Sequence, residues 1–146
     1  MVRPLEDYFQ VDSPVMLPEE LLKQCECHDE VGSRITCNPP PNDTDRDVLC
    51  LVSNVKRFVV TALAGGWEAG GSLEDMVDDF ASRAESSITF VSFRSGINNF
   101  IVTGSPEFYR KFMLATSLAK KFNLMDKQDR IALFQAILYA KEYPVL

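Results

Sequence analysis

Hydrophobic positions along this chain repeat in two ways. Val48-Leu49-Cys50-Leu51-Val52 is a short, almost wholly apolar run, the pattern of a strand buried on both faces. Residues 88–94 and 97–103 read as two more strands, joined at Ser95-Gly96 by a tight hairpin turn. Residues 24–31 alternate imperfectly and give a weaker strand that leads into Gly32-Ser33. Helical spacing governs the rest. Asn54 suits the cap of a helix over 55–64, with Phe58, Val59, Ala62 and Leu63 as its buried stripe. Ser105-Pro106-Glu107 combines a cap, a proline for the first helical position and an acid for the first turn. Phe108, Phe112, Ala115, Leu118, Ala119 and Phe122 follow at helical spacing, and Asn123 suits the stop. Asp126 then caps a last helix through about residue 140, with Ile131, Phe134, Ile137 and Leu138 inward.

Punctuation between these runs completes the outline. Pro4, Pro14 and Pro18 break up an irregular segment over 1–17, and Pro18 also suits a short helix start. Pro39-Pro40-Pro41 excludes a helix interior between Thr36 and Thr44. The four glycines in Gly65-Gly66-Trp67-Glu68-Ala69-Gly70-Gly71 mark a flexible loop, and a further helix starts at Ser72-Leu73 and runs to about 83. Trp67 reads either as a lid over a ligand or, more simply, as an anchor packed on the body of the domain. The expected fold class is α+β: a small mixed sheet of about three to five strands flanked by helices, with a helical pair at the C-terminus. Residues 18–146 form a single domain in this reading.

Length and charge narrow the partners. The chain has 146 residues and a formal net charge of −6, which argues against general binding to duplex nucleic acid. Its apolar runs fall short of the roughly 20 residues that span a bilayer, and no secretory signal pattern opens it. A cytoplasmic protein without a membrane partner is expected. Cys25, Cys27 and Cys37 lie near the single histidine, His28; Cys-x-Cys-His lacks the paired knuckles of structural zinc sites.

The chemistry concentrates between residues 31 and 52. Gly32-Ser33 presents backbone N–H groups and a hydroxyl suited to an anion. After eleven intervening residues Asp45-Arg46-Asp47 enters the apolar strand, and carboxylates spaced i, i+2 on a strand point to the same side. Val31-Gly32-Ser33 followed by Thr44-Asp45-Arg46-Asp47-Val48-Leu49 resembles the motif of the nucleotidyltransferase fold, the DNA polymerase β-like superfamily: hydrophobic-Gly-Ser, about ten residues, then [Ser/Thr]-Asp-x-Asp and two hydrophobic residues. The run from Gly32 to Pro41 is similar to that of small nucleotidyltransferase-like proteins of bacteriophage genomes.

The resemblance implies a metal-dependent nucleotidyltransferase that moves a nucleoside monophosphate from a nucleoside triphosphate to an acceptor: a small molecule, an RNA end or a protein. Asp45 and Asp47 are then the catalytic and metal-holding acids for Mg²⁺ or Mn²⁺, and Gly32, Ser33 and Arg34 receive the phosphates. The superfamily usually places a third acid on a later strand. Here the matching segment, 97–102, carries Asn98 and Asn99; Asn99 can ligate a metal through its carbonyl oxygen but is no base. Asp43 is a substitute from the preceding loop, whereas Asp78, Asp79 and Glu85 suit a solvated helix face. The alternative is a catalytically degenerate module of the same fold that binds a nucleotide or a host protein. The hairpin is expected to pair beside residues 48–52 and to bring Asn98 or Asn99 toward the acids.

Overall fold

The computed structural model describes residues 15–42, 45–69 and 90–140. In chain order these form α1 (Pro18–Leu22), β1 (Cys27–Val31), α2 (Ser33–Thr36), β2 (Arg46–Leu51), α3 (Val55–Ala64), β3 (Glu68–Ala69), β4 (Phe90–Ser95), β5 (Asn98–Thr103), α4 (Pro106–Lys121) and α5 (Lys127–Leu138). The five strands make one sheet in the order β1-β2-β5-β4-β3. β2 and β5 run parallel, and the other neighbouring pairs are antiparallel. The fold is α+β, a mixed sheet flanked by helices that include a C-terminal pair.

Burial explains why β2 reads as a continuous apolar run. Val48, Cys50 and Val52 face one side, where Phe93, Phe100 and Val102 of the hairpin meet Leu21 of α1, Phe58 and Ala62 of α3, and Trp67. Leu49 faces the other, where Val31, Ile101 and Phe90 meet Phe112, Ala115 and Ala119 of α4 and Phe134 and Ile137 of α5. A strand covered on both faces has no polar side to show. Each large side chain removed from water in these layers contributes about 1.5–3 kcal/mol.

The helix ends follow local chemistry. Asn54, Ser105 and Asp126 each accept a hydrogen bond from a backbone N–H of the first turn, those of Arg57, Phe108 and Gln128. Asn123 ends the α4 corner in the left-handed region, at φ 45°. Lys111, buried on α4, donates from Nζ to the Ala140 carbonyl at 2.8 Å beyond the end of α5 and lies 3.2 Å from Glu107. The ammonium satisfies a carbonyl that the helix end leaves open.

Several expectations change in detail. The weak strand shortens to β1, and a helical turn, α2, follows Gly32 directly. β2 begins at Arg46, so Asp47 lies within the strand. The glycine-rich loop contributes β3, because Glu68 and Ala69 pair with Arg94 and Phe93. The hairpin turn sits one residue later than Ser95-Gly96: Ser95 opposes Asn98, leaving Gly96-Ile97 as the loop with Gly96 at φ 59°. Leu63 and Phe122 leave their stripes and are exposed, at 50% and 64%, since each stands at a helix end that no layer among the described residues covers. The expected helix over 72–83, together with Asp43, Thr44, Asp78, Asp79 and Glu85, lies outside the described residues, as do residues 1–14. Among the described residues no helix is long and apolar enough to cross a membrane.

Trp67 is the anchor. It is 2% exposed, its ring centroid lies 4.6 Å from that of Phe100, and Nε1 donates to the Met16 carbonyl at 2.9 Å. As the chain's single tryptophan it reports directly on this packing. Its emission should be blue-shifted and shielded from iodide in the folded protein. Trp67→Ala should cost about 3–5 kcal/mol in urea unfolding followed by circular dichroism. Ready iodide quenching in the native state would return Trp67 to a lid.

Candidate functional site

One row of side chains crosses the sheet where β2 and β5 begin. Val31 opposes Asp47, Asp47 opposes Asn99, and Asn99 opposes Arg94. Residues directly opposite one another share a face, so two apolar strands and a hairpin present a carboxylate, an amide and a guanidinium side by side. The two-residue turn at Gly96-Ile97 sets this register.

Gly32 makes room for the acid. It caps α2 with φ 83° and ψ −174°, a conformation essentially reserved for glycine. A Cβ built there would lie 2.1 Å from Asp47 Oδ2. The Asp47 carboxylate therefore sits directly over the glycine of the Gly-Ser bend. Ser33 and Arg34 open the helical turn that follows, where backbone N–H groups have no carbonyl one turn earlier to bond. Arg34 itself is exposed.

Asp47 is 8% exposed. Burial raises its carboxyl from the usual 3.8 to about 6; the Asn99 hydrogen bond and the Arg94 charge act in the opposite direction, while Asp45 and Glu30 add to the rise. Asn99 Nδ2 donates to Asp47 Oδ1 at 3.0 Å. The Asn99 side chain is fully buried, and among the described residues its own Oδ1 has no hydrogen-bond partner. An acceptor left in that state costs about 1–3 kcal/mol. Asp45, just before β2, is bound by Arg94, whose Nη2 donates to Asp45 Oδ2. Glu30 faces the opposite side of the sheet, 3.9 Å from Arg46 Nε.

The expected site residues thus fall into two groups. Gly32, Asp47 and Asn99 are in direct contact or hydrogen-bonded, and Asp45 joins them through its charge and through Arg94. Asn98 points to the other face, opposite Arg46 and Ser95. Ser33 and Arg34 border the bend. The residues weighed for zinc are not gathered. Cys37 is buried at the α4–α5 corner, where its Sγ lies 3.2 Å from Arg130 Nη1 and 3.6 Å from the Leu124 carbonyl, and alternation along β1 sends Cys27 and His28 to opposite faces. Among the described residues no three His, Cys, Asp or Glu side chains converge as a metal site.

Arg94 is the participant that linear order does not place. The hairpin register carries the signal: with the turn at 96–97, Arg94 must oppose Asn99. The row brings two carboxylates to one end of the sheet, and Asn99 turns its amide nitrogen, not its oxygen, to Asp47. No protein-family model, curated protein or solved structure matches this chain.

Two substitutions test the geometry. Because the folded-state value of Asp47 lies above 3.8, its neutral form supports the fold fully below about pH 4, and that support is lost as pH rises through about 6. Asp47→Asn should therefore stabilise the protein at pH 7 by up to about 3 kcal/mol, with the difference vanishing near pH 4 in urea titrations. A loss of stability at pH 7 would instead mark Asp47 as a structural acid. Gly32→Ala should cost about 3 kcal/mol or more through backbone strain and overlap with Asp47, a loss that Gly32→Ala/Asp47→Gly partly recovers.

Proposed function

We propose that this chain binds a nucleoside triphosphate with Mg²⁺ or Mn²⁺ at the Gly32–Asp47 row and transfers the nucleoside monophosphate to an acceptor. The observation that carries this reading is the seating of the Asp47 carboxylate on the glycine of the Gly-Ser bend, with Asn99 beside it and Asp45 close by. Stability alone does not favour that arrangement. A buried acid that is largely ionised at pH 7 despite its raised pKa, and an unpartnered amide oxygen, both weaken the fold, and such groups gather where ligands bind.

Each residue has a task in this reading. Asp45 and Asp47 would hold the cation, joined by the Asn99 carbonyl oxygen once its amide turns from the Nδ2 contact with Asp47, and the bound cation would supply positive charge to the α-phosphoryl oxygens and the departing pyrophosphate. The Gly32-Ser33 bend and the Ser33 hydroxyl receive the β- and γ-phosphates, with Arg34 adding a charge-assisted bond. The acceptor's nucleophile forms its bond to the α-phosphorus as the bond to pyrophosphate breaks. Asn99 cannot take the acceptor's proton, so an acceptor of low pKa, or one already ionised, fits best.

A second reading is favoured by one observation. Asn99 stands where the superfamily usually carries an acid, and Asp45 is neutralised by Arg94. A module that holds the nucleotide without transfer, or docks a host protein, accords with that. Incubation with an α-labelled nucleoside triphosphate and Mg²⁺ separates the two. Transfer reads as label moving from triphosphate to product, with at least about tenfold loss in Asp45→Ala and in Asp47→Ala. Metal-dependent binding without turnover across small-molecule, RNA and protein acceptors supports the second reading. Absence of nucleotide binding at millimolar metal defeats transfer and nucleotide holding alike and leaves only the docking of a host protein.

A further inference from the structure

We propose that Arg94 is a movable cation of this site: it neutralises Asp45 when no ligand is bound, and it turns to a phosphate oxygen when a triphosphate enters, releasing Asp45 to the metal. This rests on the nucleotide reading above and deepens it by making metal and nucleotide binding mutually dependent. Three observations carry it. The Arg94 guanidinium holds Asp45, one of the two carboxylates that must carry the cation, so a metal ion arriving alone competes with a resident positive charge. The Arg94 Nε is buried and has no hydrogen-bond partner, so the guanidinium, with its five donors, is under-used where it stands. Arg94 also shares the cross-strand row with Asn99 and Asp47, which fixes the root of its side chain beside the acids while its tip remains within reach of solvent, the pair being 34% and 26% exposed.

The consequence is a linkage of definite sign. Divalent metal alone must break the Arg94–Asp45 pair and leave the guanidinium facing a second cation. A triphosphate alone must draw the guanidinium off Asp45 and leave that carboxylate facing a polyanion. Together, each gives the other's displaced group a partner: the guanidinium gains a phosphate oxygen and Asp45 gains the metal. Each ligand then tightens the other by the same factor. No covalent step is involved, and Arg94 is a positioning and binding residue.

Two substitutions with opposite signatures test this on the folded, full-length protein. Mn²⁺ binding is followed by electron paramagnetic resonance, and binding of a non-hydrolysable nucleoside triphosphate analogue by calorimetry, each with and without the other. In Arg94→Gln the competing cation is gone: Mn²⁺ alone should bind roughly tenfold tighter than in the wild type, while the analogue in the presence of Mn²⁺ binds roughly tenfold weaker. In Asp45→Asn the guanidinium is released: the analogue alone should bind roughly tenfold tighter, while Mn²⁺ binding is lost. The second variant leaves Arg94 in place and keeps the test decisive if the first fails to fold. Wild-type protein that binds both ligands, with neither variant tightening either of them, overturns the role of Arg94 alone. Wild-type protein that binds neither ligand overturns the nucleotide reading and this inference with it.

Discussion

The parallel pairing of β2 with β5 puts a carboxylate and an amide opposite each other at the head of two strands whose following residues, Val48–Leu51 and Phe100–Val102, are apolar. Asp47 and Asn99 occupy facing positions, and both are buried. Only one hydrogen bond joins them, so the pair is incompletely satisfied: burial pushes the carboxyl up to about 6, and among the described residues the amide oxygen lacks a donor. The rest of the site is arranged around that row. Gly32 lacks a Cβ where the carboxylate sits, and Arg94 of β4 reaches past β5 to Asp45.

The remainder of the fold holds this row in place. Aromatic and aliphatic layers pack on both faces of β2 and β5, so neither strand can slip by a residue without turning its apolar side chains the wrong way. Trp67 and Phe100 lock one face. On the other, Tyr109 of α4 is buried and donates to Asp29 of β1 at 2.5 Å; burial and that carboxylate together push its hydroxyl's pKa well up. The edge strand that ends in the Gly-Ser bend is thereby tied to the helix covering the sheet. A rigid scaffold carrying under-satisfied polar groups at one strand end is the division of labour expected of a binding site rather than of a purely structural core.

Charge sets the character of the site. Asp45, Asp47 and Arg94 bring two potential negative charges and one positive charge into a partly shielded space. A compact dication and a polyphosphate, the ligands proposed for this site, would each supply charge that the other leaves unbalanced. The zinc-type residues, by contrast, are dispersed: Cys37 belongs to the helix corner with Arg130, and Cys50 is part of the core.

Much of this was legible in the chain. The caps at Asn54, Ser105 and Asp126, the stop at Asn123 and the buried run of β2 are local matters, set by side chains bonding neighbouring backbone groups and by the period of apolar residues. The placement of Gly32, Asp45 and Asp47 near one another follows from a turn and a strand close in sequence. What needed the tertiary structure was everything that joins distant segments. The ion pair of Arg94 with Asp45 and the hydrogen bond of Asn99 with Asp47 depend on a parallel register between strands separated by a long crossover, and periodicity carries no information about which strand lies beside which. The same holds for β3, whose two residues form a strand only because β4 offers them an edge, and for the exposure of Leu63 and Phe122, which helical spacing places on an apolar stripe but which no layer among the described residues covers.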